Sequence, residues 1–289
     1  MKIVIAGGAG YIGRALVGSL VGDGHEVVVL SRRPETVREI PARVAPWDAA
    51  FAEVDGAGAV LNVAGVPIGG PLWTRRRKEA ILASRVDTTH KLVEAIKVAR
   101  RPPEVFVSAS GIDFAGDSGD SLVDETTPFG STFLARVCSA WEAASVEAPV
   151  RNVQVRTALV VGPDAQAIKL MALPFRLFAG GPLGSGKQWF PWIDLDDLVR
   201  VYRAAIDDTS LSGPLNAVSP GLVRQREAAK VIGSVLHRPA VLPTPAIALR
   251  LLLGEQADLL LHGQRAVTVK LDNGLFRVPD LRVSLARAL

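Results

Sequence analysis

Hydrophobic positions in this chain switch repeatedly between two spacings. Short, β-branched apolar runs at Lys2–Ala6, Glu26–Leu30, Ala57–Val63, Glu104–Ser108 and Asn152–Val161 read as strands buried on both faces of a parallel sheet. Between them the pattern turns helical over Arg14–Leu20 and over Trp73–Lys97. In the second stretch Ile81, Val86, Leu92, Val93 and Ile96 recur at mixed three and four spacings, and Pro102 and Pro103 stop the run. Strands alternating with helices predict an α/β fold with a doubly wound parallel sheet.

Residues 1–33 compress this pattern into strand, glycine turn, helix, second strand and basic tip. Gly7, Gly10 and Gly13 recur every third residue between the first strand and its helix. Glycine lets the backbone bend sharply and approach a ligand, while the helix points free N–H groups and its positive dipole end at phosphate oxygens. The flanking strands and helix supply the context that separates a dinucleotide cradle from a plain tight turn. At the tip of the second strand a carboxylate would accept from an adenosine ribose, whereas arginine pairs with a 2′-phosphate. The chain carries Ser31, Arg32 and Arg33 there, so electrostatics favours NADP(H) over NAD(H).

Composition narrows the class. A chain of 289 residues, 48% hydrophobic, suits one large α/β domain with a smaller annex. The single cysteine, Cys138, cannot form an internal disulfide, no metal-ligand spacing occurs, and the chain runs straight into a strand; a cytoplasmic protein without a bound metal is expected. Ala246–Leu261 is very apolar but is interrupted by Arg250, Glu255 and Asp258, which predicts core-facing helices rather than a membrane span. The net charge of +4 is spread along the chain, and its densest run, Arg75–Lys78, reads as a solvated helix face rather than a nucleic-acid patch. The expected partner is a small-molecule substrate, with no nucleic acid and no membrane, and a homodimer is compatible with the sequence.

Further candidates lie at strand exits. Asn62, Ala64 and Gly65 end the third predicted strand, where small residues suit a cofactor passing close to backbone. Ser108-Ala109-Ser110-Gly111 puts two hydroxyls at the next exit, beside the expected nicotinamide. Pro46, Trp47 and Asp48 would lie near the adenine. The segment Gly180–Lys187 lacks the spacing of a phosphate loop and reads as a flexible substrate loop, with Lys187, Gln188 and Trp189 as pocket residues. Asp194, Asp196 and Asp197 precede an apolar helix and read as its cap rather than as metal ligands.

The glycine turn, the SRRP tip, the strand ending in SAS and the stretch NVAGVPIGGPLWTRRRKEAILASRVDTTHKLVEAI resemble the atypical extended short-chain dehydrogenase/reductases of the epimerase family, a subgroup of sugar-nucleotide epimerase type with a short C-terminal domain. RTALVVGPDAQAIKLMALPFRLFAGGPLGSGKQWFPWIDLDDLVRVYRAAI and LPTPAIALRLLLGEQADLLLHGQRAVTVKLDNGLFRVPDL resemble the later sections of the same subgroup. The resemblance implies a Rossmann-type sheet, NADP(H), and a substrate pocket between the sheet edge and the C-terminal half. It implies an NADP(H)-binding domain over residues 1–235, with substrate-binding segments interleaved from about residue 163, and a small cap over 240–289. Within the matched stretches Tyr11 and Ile12 of the glycine turn, and Arg85, join the cofactor-binding residues.

One part of the family pattern is missing. Most short-chain dehydrogenases use a Tyr-x-x-x-Lys pair, in which lysine lowers the tyrosine pKa and tyrosine exchanges a proton with substrate. Here those places fall on Leu134 and Cys138, and the whole chain holds only Tyr11 and Tyr202. Relatives carry aromatic hydroxyls in a segment like GYYG, where this chain has Asp113-Phe114-Ala115-Gly116. Three readings stay open. The protein reduces or epimerises with Ser108, Ser110 or Asp113 supplying the hydrogen bond or proton; it reduces an activated double bond that needs no acid at oxygen; or it binds the nucleotide without chemistry.

Overall fold

The computed structural model describes residues 1–289. The N-terminal half alternates β1 (Lys2–Ala6), α1 (Tyr11–Gly22), β2 (Glu26–Ser31), β3 (Arg43–Pro46), α2 (Ala50–Val54), β4 (Ala59–Asn62), α3 (Arg75–Val98) and β5 (Val105–Gly111). Next come β6 (Leu122–Val123), α4 (Phe133–Ser145), β7 (Arg151–Thr157), β8 (Leu159–Val161), α5 (Gln166–Arg176), β9 (Trp192–Asp194), α6 (Leu195–Asp207) and β10 (Gly213–Ala217). The chain closes with α7 (Gln225–Leu236), α8 (Ala246–Leu253), α9 (Asp258–Leu261), β11 (Arg265–Ala266) and α10 (Leu281–Ala288).

Seven strands form one sheet in the order β10-β7-β5-β4-β1-β2-β3, all pairs parallel. Their side chains are buried on both faces, with Ile3, Ile5 and Val107 packed against α6 on one side and Val4, Val60 and Phe106 against α3 on the other. Double burial explains why these strands read as continuous apolar runs. The chain reverses its order between β1 and β4, and the carboxyl ends of both strands open on that crevice, the place where doubly wound sheets bind nucleotides.

Three local expectations change. Asn152–Val161 is not one strand: it breaks at Ala158, and β8 leaves the main sheet to pair with β9. The serine strand continues to Gly111, so Ser108 and Ser110 lie within β5 instead of beyond its end. Helix α1 starts at Tyr11, so Gly13 is inside it.

The C-terminal segment is fastened to the rest. Glu125 is buried and its carboxylate accepts from Asn216 N–H (3.0 Å), the Thr268 hydroxyl (2.6 Å) and Val269 N–H (3.0 Å). Helix α10 packs on α7. Helix α8 departs from the core-facing expectation: only Leu249 is buried, and Ile247, Leu251 and Leu252 are largely exposed. No helix is long and apolar enough to cross a membrane.

Candidate active site

The glycine turn is built by close approach. Gly7 has φ +84°, and a Cβ there would meet Ala64 N at 2.6 Å, so the turn is pressed against the exit of β4. A Cβ on Gly13 would lie 2.2 Å from the Gly7 carbonyl oxygen. Gly10 caps α1 without a side chain, which leaves the first-turn N–H groups open to a ligand. Ile12 packs on the core, while Tyr11 packs under β8. The Tyr11 hydroxyl is buried without a partner, and burial followed by Asp194 pushes it up to about 12. Arg14, which sequence reasoning passed over, donates to Ala9, Arg38 and Glu39 carbonyls at 3.0–3.2 Å and ties the loop after β2 to the turn.

Arg32 and Arg33 are exposed at the tip of β2. Ser31 Oγ accepts from Arg33 N–H at 3.1 Å, which shapes the tip. Pro46 pairs with Ser31 in register, so Pro46, Trp47 and Asp48 adjoin this tip as the topology suggested. A cradle with no room for side chains, a helix N-terminus and two free guanidiniums form a donor set that fits a dinucleotide with a 2′-phosphate.

At the exit of β4, Asn62 is fully buried, donating to the Thr89 hydroxyl (2.9 Å) and accepting from Ala64 N–H (3.2 Å). Its amide is engaged within the protein, which leaves backbone at Ala64 and Gly65 as the surface a cofactor could touch. Arg85 lies directly beneath Gly65.

Strand β5 and the turn after it carry the candidate catalytic residues Ser108, Ser110 and Asp113, and helix α4 packs against them. Ser110 donates to Glu142 Oε1 at 2.6 Å, and Glu142 is in turn bidentate to Arg156 at 2.9 Å on both oxygens. Ser108 is likewise buried, its hydroxyl directed to the Ala109 carbonyl at 3.2 Å. Both serines are buried, and neither lines the cleft that Asp113 faces. The Glu142–Arg156 pair escaped sequence reading, although the one Glu of an otherwise apolar helix face was a visible signal.

Past β5 the chain turns, and the neighbouring Asp113 and Phe114 diverge. Phe114 goes to the core beneath the Arg156 guanidinium, 3.6 Å from its ring. Asp113 faces a small, solvent-open cleft that Leu134, Thr132, Phe133, Trp73 and His262 also line. Burial pushes the Asp113 carboxyl up to about 6, opposed only by its own backbone N–H. Cys138 is buried behind Gly111, and burial, with Asp113 and Glu142 adding to it, pushes the thiol up to about 12. Tyr202 is buried in the core. The cleft therefore brings together Asp113 and the Leu134 position, with neither tyrosine nearby.

The run Arg75–Lys78 is only partly a solvated face. Arg75 pairs with Glu79 at the surface, but Arg77 donates to the Pro67 carbonyl at 2.6 Å, and Lys78 pairs with Glu255 and lies over the Phe133 ring. These contacts hold the wall of the cleft. The glycine-rich segment is pinned rather than free: Gly181 presses on Leu242, where a Cβ would be 2.2 Å from the carbonyl oxygen. Lys187 is exposed, Gln188 donates to Leu183 and Leu260 carbonyls, and Trp189 donates to Asp120 while stacking on Arg224. These three residues lie outside the lining of the Asp113 cleft. Asp194 accepts from Asp196 N–H as the cap of α6, and Asp197 accepts from Arg277 and Val278 N–H groups.

Residues 3–217 match the family described as NAD dependent epimerase/dehydratase family, and residues 244–288 match a domain of unknown function, DUF1731. An Arabidopsis thaliana protein named "Epimerase family protein SDR39U1 homolog, chloroplastic" is 40% identical over 93% of this chain and 81% of its own. The Mus musculus epimerase family protein SDR39U1 is 36% identical, covering 99% of this chain and 98% of its own. A crystal structure of the human epimerase family protein SDR39U1 with NADPH superposes with a TM-score of 0.88 at 32% identity, covering 99% of this chain and 98% of that one.

Proposed function

The chain belongs to the NAD dependent epimerase/dehydratase family, and from that premise we propose that it is an NADP(H)-dependent oxidoreductase of the short-chain dehydrogenase/reductase type that works without a Tyr-x-x-x-Lys pair. Its substrate is a small molecule with a carbonyl or an activated double bond, or a centre epimerised through such a group. The cofactor reading is supported by the glycine cradle and the free Arg32 and Arg33, and by a relative whose structure contains NADPH. Gly7, Gly10 and Gly13 with the α1 N-terminus would hold the pyrophosphate, Arg32 and Arg33 the 2′-phosphate, and Ala64 and Gly65 backbone the middle of the dinucleotide. When bound, the dinucleotide supplies or accepts a hydride.

The observation that carries the reaction type is Asp113. It shares a cleft with Leu134, and burial raises its carboxyl to about 6, so near neutral pH a fraction remains protonated and can donate. An ionised carboxylate would repel a developing alkoxide, whereas the neutral acid can hydrogen-bond it. Ser108 and Ser110 act from below as supports of the β5 exit, Ser110 through Glu142. Trp73, Phe133 and Leu134 give the cleft one apolar side on which a flat substrate could lie, facing the polar Asp117, Asp258 and His262.

Fluorescence titration with NADPH and NADH, followed by NADPH consumption against carbonyl and conjugated-alkene panels at pH 5.5 and 8, tests the proposal. The expected result is a clear preference for NADPH and turnover that is faster at the lower pH for carbonyls. NADPH binding without turnover in either panel would instead identify a nucleotide-binding protein that has no chemistry.

A further inference from the structure

Two arginines in this protein are buried, and they are treated differently. Arg156, 3% exposed, is paired with Glu142. Arg85, 7% exposed, has no carboxylate within ion-pair distance: its Nη1 donates to the carbonyls of Ile81 at 3.0 Å and Val66 at 3.1 Å, and the guanidinium faces the Trp141 ring at 5.0 Å. The other charged group acting on it is Arg77, of the same sign, while the nearby Cys138 thiol is neutral at physiological pH. Burial and Arg77 lower Arg85 only to about 10, so it stays a cation. A buried cation without a counter-charge is costly, and carbonyl dipoles and a ring face offset that cost only in part.

Its position says which ligand could complete it. A Cβ on Gly65 would lie 3.0 Å from the guanidinium carbon, and the neighbouring Ala64 presses on Gly7 of the glycine turn. On its other side stands Cys138, whose thiol meets the Gly111 carbonyl at the end of β5. Arg85 is thus beyond the β1–β4 reversal, under β4 and β5, whereas Arg32 and Arg33 are on the β2 side. A dinucleotide laid across that reversal puts its adenosine half over β1 and β2 and its nicotinamide half over β4 and β5.

We propose that Arg85 is an uncompensated cation built into the nicotinamide half of the site, and that it makes the protein hold the reduced dinucleotide in preference to the oxidised one. The inference rests on the NADP(H) reading above. The oxidised ring carries a positive charge that the reduced ring lacks, so a fixed guanidinium repels one form and spares the other. Two unit charges about 10 Å apart at an effective dielectric of about 20 correspond to a preference of about tenfold.

The test is calorimetric and fluorescence titration of the full chain, with Arg85→Gln and Arg85→Lys beside it, against NADPH, NADP⁺ and 2′,5′-ADP. The unaltered protein is expected to bind NADPH about tenfold or more tightly than NADP⁺. Arg85→Gln should lose most of that ratio, Arg85→Lys should keep it, and 2′,5′-ADP should bind all three alike. Equal affinity of the unaltered protein for both forms overturns the inference without any variant, and so does a folded Arg85→Gln protein whose ratio is unchanged or whose 2′,5′-ADP binding falls in parallel. Failure of the underlying cofactor reading looks different: the unaltered protein would then bind neither NADPH nor 2′,5′-ADP.

Discussion

The Ser110 hydroxyl donates to the Glu142 carboxylate across 2.6 Å, and both groups are buried outside the lining of the Asp113 cleft. The same carboxylate holds Arg156 with both oxygens, so the serine belongs to a buried polar network that braces β5, α4 and β7. Glu142→Gln would leave Arg156 buried without its counter-charge and is expected to cost about 3–5 kcal/mol. Ser110→Ala should cost about 1.5–3 kcal/mol, the range of a hydrogen bond to a charged group. Urea unfolding measures both, and a Ser110→Ala protein of unchanged stability but abolished turnover would contradict the bracing role.

Asp113 gives a signed pH dependence. Its folded value, about 6, stands above the ordinary 3.8, so between these values the folded chain binds the proton and the unfolded chain releases it. The associated stability is full below about 3.8, falls as pH rises, and is lost above about 6. Asp113→Asn should therefore raise the melting temperature at pH 8 and leave it nearly unchanged at pH 4. The difference is at most about 3 kcal/mol, at 1.36 kcal/mol for each unit.

Turnover provides a separate reading of the same residue. With a carbonyl substrate, kcat should decline above a midpoint near 6 in the unaltered protein, and Asp113→Asn should flatten the profile while lowering the rate at pH 5.5. A conjugated alkene whose proton comes from water should show neither effect.

At the β2 tip, Arg32→Ala and Arg33→Ala are expected to weaken NADPH binding by about tenfold each, as loss of a charge-assisted contact does. NADH binding should stay the same. Equal losses for both dinucleotides would assign the arginines to something other than the 2′-phosphate.

Two glycines of α1 make opposite predictions. A Cβ at Gly13 runs into the Gly7 carbonyl at 2.2 Å, whereas at Gly18 it meets nothing within 4 Å. Gly13→Ala should destabilise by about 1–3 kcal/mol and weaken cofactor binding, while Gly18→Ala, in an exposed helix interior, should stabilise by about 0.5–1 kcal/mol. Thermal melts with and without NADPH separate the two effects.

What could be read from the chain in advance was whatever depends on neighbours in sequence. The continuous apolar runs located five strands of the main sheet, and the spacing of Gly7, Gly10 and Gly13 located the cradle, because period and turn chemistry are local. The split at Ala158 was not legible. Ala158 N–H goes to the Ala217 carbonyl and Leu159 N–H to the Pro191 carbonyl, so the break is imposed by segments far along the chain, with no Gly or Pro to announce it. The same applies to Ser110, whose partner is 32 residues away. Arg75–Lys78 looked like a solvated run because Glu255 and the Pro67 carbonyl, which give Lys78 and Arg77 their places, come together only in the folded protein.

Glu125 makes the middle of this chain depend on its last segment. Its carboxylate is buried early in the chain, but its donors are 91 and 144 residues later. A chain that ended before residue 268 would keep Asn216 as a donor to this carboxylate and leave the rest of its buried charge to water. All seven strands of the main sheet precede that point, so such a chain would carry the whole sheet around a charge that is only partly satisfied.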